Sequence, residues 1–237
     1  METGIFFLQT ADFISFSIWA CLAVFLLFIY ASYDISLDVY LRAFCRKSTK
    51  DKIIALTFDD GPHSEYTPRV LDILKQYDIK ASFFLIGKHI AGNEGILKRI
   101  HEEGHQIGNH SFSHKYTFPL FGIRKMSADL LQCEHTIHQV AGCQPKWFRP
   151  PFGVTNPNVA KSVKIRGYQV AGWSIRSFDT VKSDKNEIVQ RVSSLLHPGA
   201  IVLLHDRLPD TPYILEQIIQ IALKKGYTFV TVEQLHS

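Results

Sequence analysis

The chain has 237 residues, 46% of them hydrophobic and 20% charged, with a formal net charge of +4. This length suits one medium domain with an appendage, and the apolar content excludes a disordered polymer. The 26 Lys and Arg residues are scattered rather than set along a stripe, so no nucleic-acid partner is implied.

The first element is apolar. Residues 13–33 carry no formal charge, and at about 1.5 Å per residue a helix of that length spans roughly 30 Å, the thickness of a bilayer core. A cleaved signal peptide would have a basic start, a shorter apolar run and a small-residue exit. Here no Lys or Arg precedes the run, which exits through Phe28, Ile29 and Tyr30. Residues 1–33 therefore read as a membrane anchor, the alternative being a buried core helix. Arg42, Arg46, Lys47, Lys50 and Lys52 lie just beyond the span, and the positive-inside rule would place the C-terminal domain in the cytoplasm, although Asp34 and Asp38 soften that bias.

Residues 34–50 read as a connector with a short amphipathic stretch at Ile35, Leu37, Val39 and Leu41. From Lys52, apolar strand-like runs at 52–58, 81–87, 105–109, 146–149, 167–173, 200–205 and 227–232 alternate with helix-like segments at 66–78, 88–103, 123–140, 155–166, 184–197 and 211–225. Seven strands alternating with six helices imply parallel βα units. The 51–237 segment is short for a complete eight-fold barrel, so a distorted seven-stranded (β/α) barrel is expected, with a doubly wound open sheet as the alternative. Either places chemistry at the C-terminal ends of strands. The four cysteines, Cys21, Cys45, Cys133 and Cys143, show no CxxC spacing; they read as unpaired thiols, the alternative being a Cys133–Cys143 pair across a helix end.

Polar clusters fall at those strand ends. Asp59-Asp60-Gly61-Pro62 closes the first strand, where one Asp would suffice for a turn. His110 and His114 follow the third strand at a spacing that brings two imidazoles to one ion. With an Asp from another strand they make a two-His, one-carboxylate set that leaves positions open. His101-Glu102-Glu103-Gly104-His105 matches the HExxH pattern of zinc proteases, but that motif needs an unbroken helix and Gly104 lies where helix gives way to strand. Arg149-Pro150-Pro151-Phe152-Gly153 ends the fourth strand and His205-Asp206 the sixth.

The ordered set TFDDG, HSFSH, RPPFG and LLHD resembles the polysaccharide deacetylase family, also called the NodB-homology domain or carbohydrate esterase family 4, over about residues 51–235. The resemblance implies a divalent ion, usually Zn2+, held by Asp60, His110 and His114. It also implies Asp59 as the base acting on metal-activated water, Arg149 holding that base, the Phe152 backbone N–H facing the oxyanion, and His205 as the acid. Trp173 and Asp179 join Phe152 as candidate substrate-side residues. The family commonly has Asp, two residues, then Asp-Trp after the fifth strand; here the chain reads Arg176-Ser177-Phe178-Asp179-Thr180, which leaves the partner of His205 open.

The expected activity is removal of N-acetyl groups from amino sugars in a peptidoglycan- or chitin-like polymer or oligomer. An O-acetyl esterase and a catalytically impaired, membrane-tethered glycan-binding protein are the alternatives. The expected partners are the glycan and, through residues 13–33, a membrane; no protein partner is implied. Because acetylated glycan polymers lie outside the cytoplasm, the domain is expected there on a single-pass anchor.

Overall fold

The computed structural model describes residues 2–237, with side chains from Ser15 onward. After α1 (Glu2–Tyr33), the chain runs β1 (Ile53–Asp59), α2 (Tyr66–Gln76), β2 (Ser82–Leu85), α3 (Glu94–Glu102) and β3 (Gln106–Asn109). It continues through α4 (Ile123–Ala141), β4 (Trp147–Phe148), α5 (Pro157–Arg166), β5 (Gln169–Val170) and β6 (Ile175–Arg176). The last elements are α6 (Lys185–Leu195), β7 (Ile201–His205), α7 (Thr211–Lys224), β8 (Thr228–Phe229) and α8 (Val232–His236).

The strands pair in parallel in the order β5-β4-β3-β2-β1-β7-β6, with β8 beside the start of β1. This is the curled, incomplete barrel expected from the alternation of strands and helices. Residues 167–173 do not form the single strand expected of them. Arg149 draws on the carbonyls of Ala171 and Gly172, and the chain breaks there into β5 and β6. No ladder joins those two strands among the described residues, so the sheet has a seam.

Alternation along β1 explains how the layers are filled. Ile54, Leu56 and Phe58 pack into the large core beneath the surrounding helices. Ala55 faces inward toward Phe84, Trp147 and Ile201, where Val232 and Leu235 of α8 also pack. Thr57 and Asp59 continue that inward face toward the strand ends.

Residues 34–50 are bound to the domain rather than hanging from it. Phe44 bridges Ala171 beyond β5, and Arg46 bridges Ala200 at the start of β7, so the connector crosses the seam. Ala43 is buried, and the Lys47 N–H donates to the Gly199 carbonyl at 2.9 Å. α1 is different: its Ser15–Tyr33 stretch is long and apolar enough to cross a membrane, and only 6% of that stretch is buried. A core helix would be mostly covered, so that alternative fails. The end of α1 touches the domain through buried Ala31 and a Thr155 N–H to Ser32 carbonyl bond of 2.9 Å.

Candidate active site

The C-terminal ends of β1, β3, β4 and β7 converge, bringing Asp59, Asp60, His110, Arg149 and His205 together. Pairing places Asp59 directly beside His205. His114 arrives from the loop after β3, where Asp129 accepts bonds from the Phe112 and Ser113 N–H groups. Backbone strain concentrates here. Asp60, Ser111, His114 and Phe152 all have positive φ, conformations that cost energy in non-glycine residues and persist only where the surroundings enforce them. At Asp60, φ of 75° turns its carboxylate away from that of Asp59.

Arg149 is fully buried, and its guanidinium makes four hydrogen bonds. It donates to Asp59 Oδ1 at 2.7 Å, Thr57 Oγ1 at 2.8 Å, the Gly172 carbonyl at 2.9 Å and the Ala171 carbonyl at 3.2 Å. A buried carboxylate and guanidinium each lose hydration, and only a pair with such extensive hydrogen bonding offsets that loss. Asp59 is thereby fixed by one oxygen, while Oδ2 lies 3.7 Å from His110 Nε2.

Asp60 faces the histidines. Its Oδ1 lies 3.6 Å from His110 Nε2 and 3.4 Å from His114 Nε2, and the three groups offer ligand atoms within 4.8 Å of one another. The Arg149 carbonyl can only accept, so its 2.7 Å contact fixes the proton on His110 Nδ1 and leaves the Nε2 lone pair facing Asp60. His114 Nε2 is buried without a partner, an orphaned acceptor that a cation would satisfy. Burial raises the Asp60 pKa, but His110, His205, His114 and Arg207 outweigh it and hold the carboxyl at about 2. Burial and neighbouring His110 push the His114 imidazole down to about 3, so it is neutral. An ionised carboxylate with two imidazoles is the donor set that Zn2+ accepts, so the residues fit the expected ion.

His205 rests on Asp179, whose two oxygens accept from the ring Nδ1 and the backbone N–H, each at 2.8 Å. This answers the question raised by Arg176: the second acid of the segment supports the histidine. Burial opposes the imidazolium, but Asp179, Asp59 and Asp60 overcome it and raise the His205 pKa. Arg176 itself is exposed and stacks over Trp173 and Phe178, with Arg191 also over Phe178.

The Phe152 N–H donates to no acceptor among the described residues. Its ring lies 4.7 Å from that of His114 and stacks on Tyr116 at 5.5 Å, forming an exposed aromatic rim. Trp173 lies below that turn, where a Cβ on Gly153 would come within 2.4 Å of its ring. Sequence reasoning missed Tyr116 and Arg207. Arg207 Nε donates to Asp60 Oδ2 at 2.8 Å, turning Oδ1 toward the histidines. Its place two residues after His205 was the available signal.

The HExxH pattern comes apart as expected. α3 ends at Glu102 and Gly104 has φ of 78°. His105 is buried against Phe83, accepts from the Ala81 N–H, and is pushed down to about 4 chiefly by burial. All four cysteines are free thiols.

Fold and site together define a parallel α/β barrel with a metal-capable Asp-His-His cluster beside a buried Asp–Arg pair. The family model described as polysaccharide deacetylase matches residues 46–171, and the chain belongs to that family. It is 40% identical over 190 residues to a peptidoglycan-N-acetylglucosamine deacetylase of Bacillus cereus, covering 78% of this chain and 88% of that protein. It is 35% identical to the peptidoglycan-N-acetylglucosamine deacetylase PgdA of Listeria monocytogenes over 80% of this chain, which spans only 40% of that relative's length. Among solved structures, BA3943 of Bacillus anthracis, described as a CE4 family pseudoenzyme, superposes with a TM-score of 0.76 at 28% identity, covering 82% of this chain and 69% of that one.

Proposed function

We propose that this protein is a metal-dependent deacetylase that hydrolyses the N-acetyl groups of amino sugars in a peptidoglycan-type glycan. The observation that carries the reading is the division of labour between adjacent carboxylates. Asp59 is clamped by a fully buried Arg149, while Asp60 faces the imidazoles of His110 and His114. Metal binding alone does not require the clamp. Because a pseudoenzyme shares this fold, these residues decide the matter and the barrel does not. A non-catalytic glycan-binding role would need neither the Asp59–Arg149 pair nor the Asp179–His205 pair.

Asp60, His110 and His114 would hold a divalent ion, Zn2+ being the one their chemistry suits. When bound, such an ion supplies Lewis acidity and lowers the pKa of water toward about 7. Asp59, oriented through Oδ1 by Arg149, takes the proton of the attacking water on Oδ2. The unpaired Phe152 N–H donates to the acetyl oxygen as negative charge grows there. His205, kept protonated by Asp179, delivers a proton to the departing amine nitrogen, and acetate and a free amino sugar result. The Tyr116–Phe152 stack offers a flat apolar face to a sugar ring.

A panel of N-acetylated and O-acetylated glycans, assayed for acetate release by the full chain, tests the substrate class. Faster release from N-acetyl amino sugars is expected, and turnover confined to O-acetyl esters would refute that choice.

The exposed apolar helix α1 supports a single-pass anchor, with the domain outside the cytoplasm. Cys45 is a poor topology reporter, because burial, then Asp38, raises its thiol to about 11. Lys50 is exposed, so Lys50→Cys is the better one. An impermeant thiol reagent is expected to label it in intact cells, and protection until lysis would place the domain inside.

A further inference from the structure

Beside the end of α1, an open groove of about 1310 Å³ runs between the connector and α5. Five cationic residues line it, Arg42, Arg46, Lys47, Lys161 and Lys164, against a single acid, Asp38. Asp38 is already engaged, its Oδ1 accepting from the Ala43 N–H at 2.8 Å. Among the described residues none of the five cations enters an ion pair or a side-chain hydrogen bond. Elsewhere Arg99, Arg166 and Lys182 do pair with acids. Like charges collected on one groove repel, and an anionic occupant would relieve that repulsion.

The groove's position says where the anion comes from. Tyr40, on its lining, donates its hydroxyl to the Phe28 carbonyl at 3.1 Å and packs its ring against that of Phe28. Phe28 belongs to the apolar Ser15–Tyr33 stretch, and the lining residues Ser36 and Asp38 follow Tyr33 almost at once. A tyrosine joined to the last turns of a span sits at the level of lipid headgroups. The groove therefore opens at the depth where phosphates lie.

We infer that this groove seats the phosphate headgroups of anionic phospholipids in the bilayer that α1 crosses, an inference that rests on the anchor reading above. Five cations with no protein partner meet a surface of the opposite sign, each contributing about a fivefold preference for anionic lipid. The basic residues after the span then serve lipid contact. This accounts for a basic flank on a domain placed outside the cytoplasm.

The test uses the full chain in neutral detergent micelles, following tryptophan fluorescence, since Trp147 and Trp173 line the groove. Phosphatidylglycerol is expected to give a saturable change and phosphatidylcholine none. Lys161 and Lys164 are exposed on α5, and the double variant K161Q/K164Q should weaken binding about 25-fold. Arg42→Gln, from the connector, should weaken it about fivefold on its own. Equal response to phosphatidylcholine, or a double variant binding as tightly as the parent, overturns the inference. Saturation by inorganic phosphate with the same signal would make the groove a soluble-anion site and overturn it too. A chain that stays in solution without detergent defeats the anchor reading. One that needs detergent yet shows no anionic preference defeats the groove alone.

Discussion

Asp59 shares one oxygen with Arg149, and Asp60 shares one with Arg207, so each carboxylate keeps its second oxygen for the site. Replacing Asp59 by Asn removes the base but leaves the Asp60, His110 and His114 donors in place. We expect a loss of about 10²–10⁴ in kcat with Zn2+ affinity, measured by calorimetry, nearly unchanged. His114→Ala removes a donor directly, and its affinity loss should exceed the roughly 10–100-fold typical of outer partners. The acid side makes a pH prediction. The His205 pKa is raised above its usual 6.5, so its proton is present below the folded value and is lost as pH rises through it. The stability that Asp179 lends through this proton is likewise complete below about 6.5 and disappears on the alkaline side. Asp179→Asn should shift the alkaline limb of the kcat profile to lower pH; an unmoved limb would remove His205 as the acid. Asp59, Asp60, His110, His114, Arg149 and His205 were legible because each lies in a short motif at or just beyond a strand end. Tyr116 and Arg207 were not, since each acts through a contact across loops and neither belongs to a periodic pattern.

The seam between β5 and β6 shows how one side chain shapes an element. Periodicity marks residues 167–173 as apolar, but it cannot register that Arg149 will claim the carbonyls of Ala171 and Gly172. The strand breaks there, and the connector, which sequence presented as a spacer, bridges both sides of the gap. Gly199 is the tightest point of that crossing. Its φ is +74°, and a Cβ would lie 1.9 Å from the Lys47 carbonyl oxygen, which is backbone and cannot swing aside. Gly199→Ala is expected to cost roughly 2–4 kcal/mol and to lower the thermal midpoint by several degrees. By contrast Gly142→Ala, also at positive φ but with nothing within 4 Å, should cost less in the same melt. Apart from α3, expected from residue 88 but beginning only at Glu94 after a 3-10 turn at Gly87–His89, the helices from α2 to α7 lay close to their expected spans because their amphipathic period and caps are local, as Asp184 shows by accepting from the Asn186 and Glu187 N–H groups.

At the scale of the molecule, the barrel gathers groups from four strand ends and holds several of them in strained backbone conformations. Helix α1 meets the same region: Ser32 accepts a bond from Thr155, three residues beyond Phe152. The face that carries the candidate site is thus tied to the apolar helix α1, an arrangement visible only once the connector is seen to fold back. The parallel order of strands and the site's location at their C-terminal ends followed from the alternation of the sequence. The contact between α1 and the domain did not, because it depends on two main-chain groups far apart in the chain. The most direct test of the account is acetate release from an N-acetylated glycan by the full chain, before chelation, after it, and after Zn2+ is restored, alongside Asp59→Asn. Turnover that falls with the metal, returns with it, and is lost in the zinc-loaded variant is the expected result. Undiminished turnover in the fully chelated protein, or in Asp59→Asn, would contradict it.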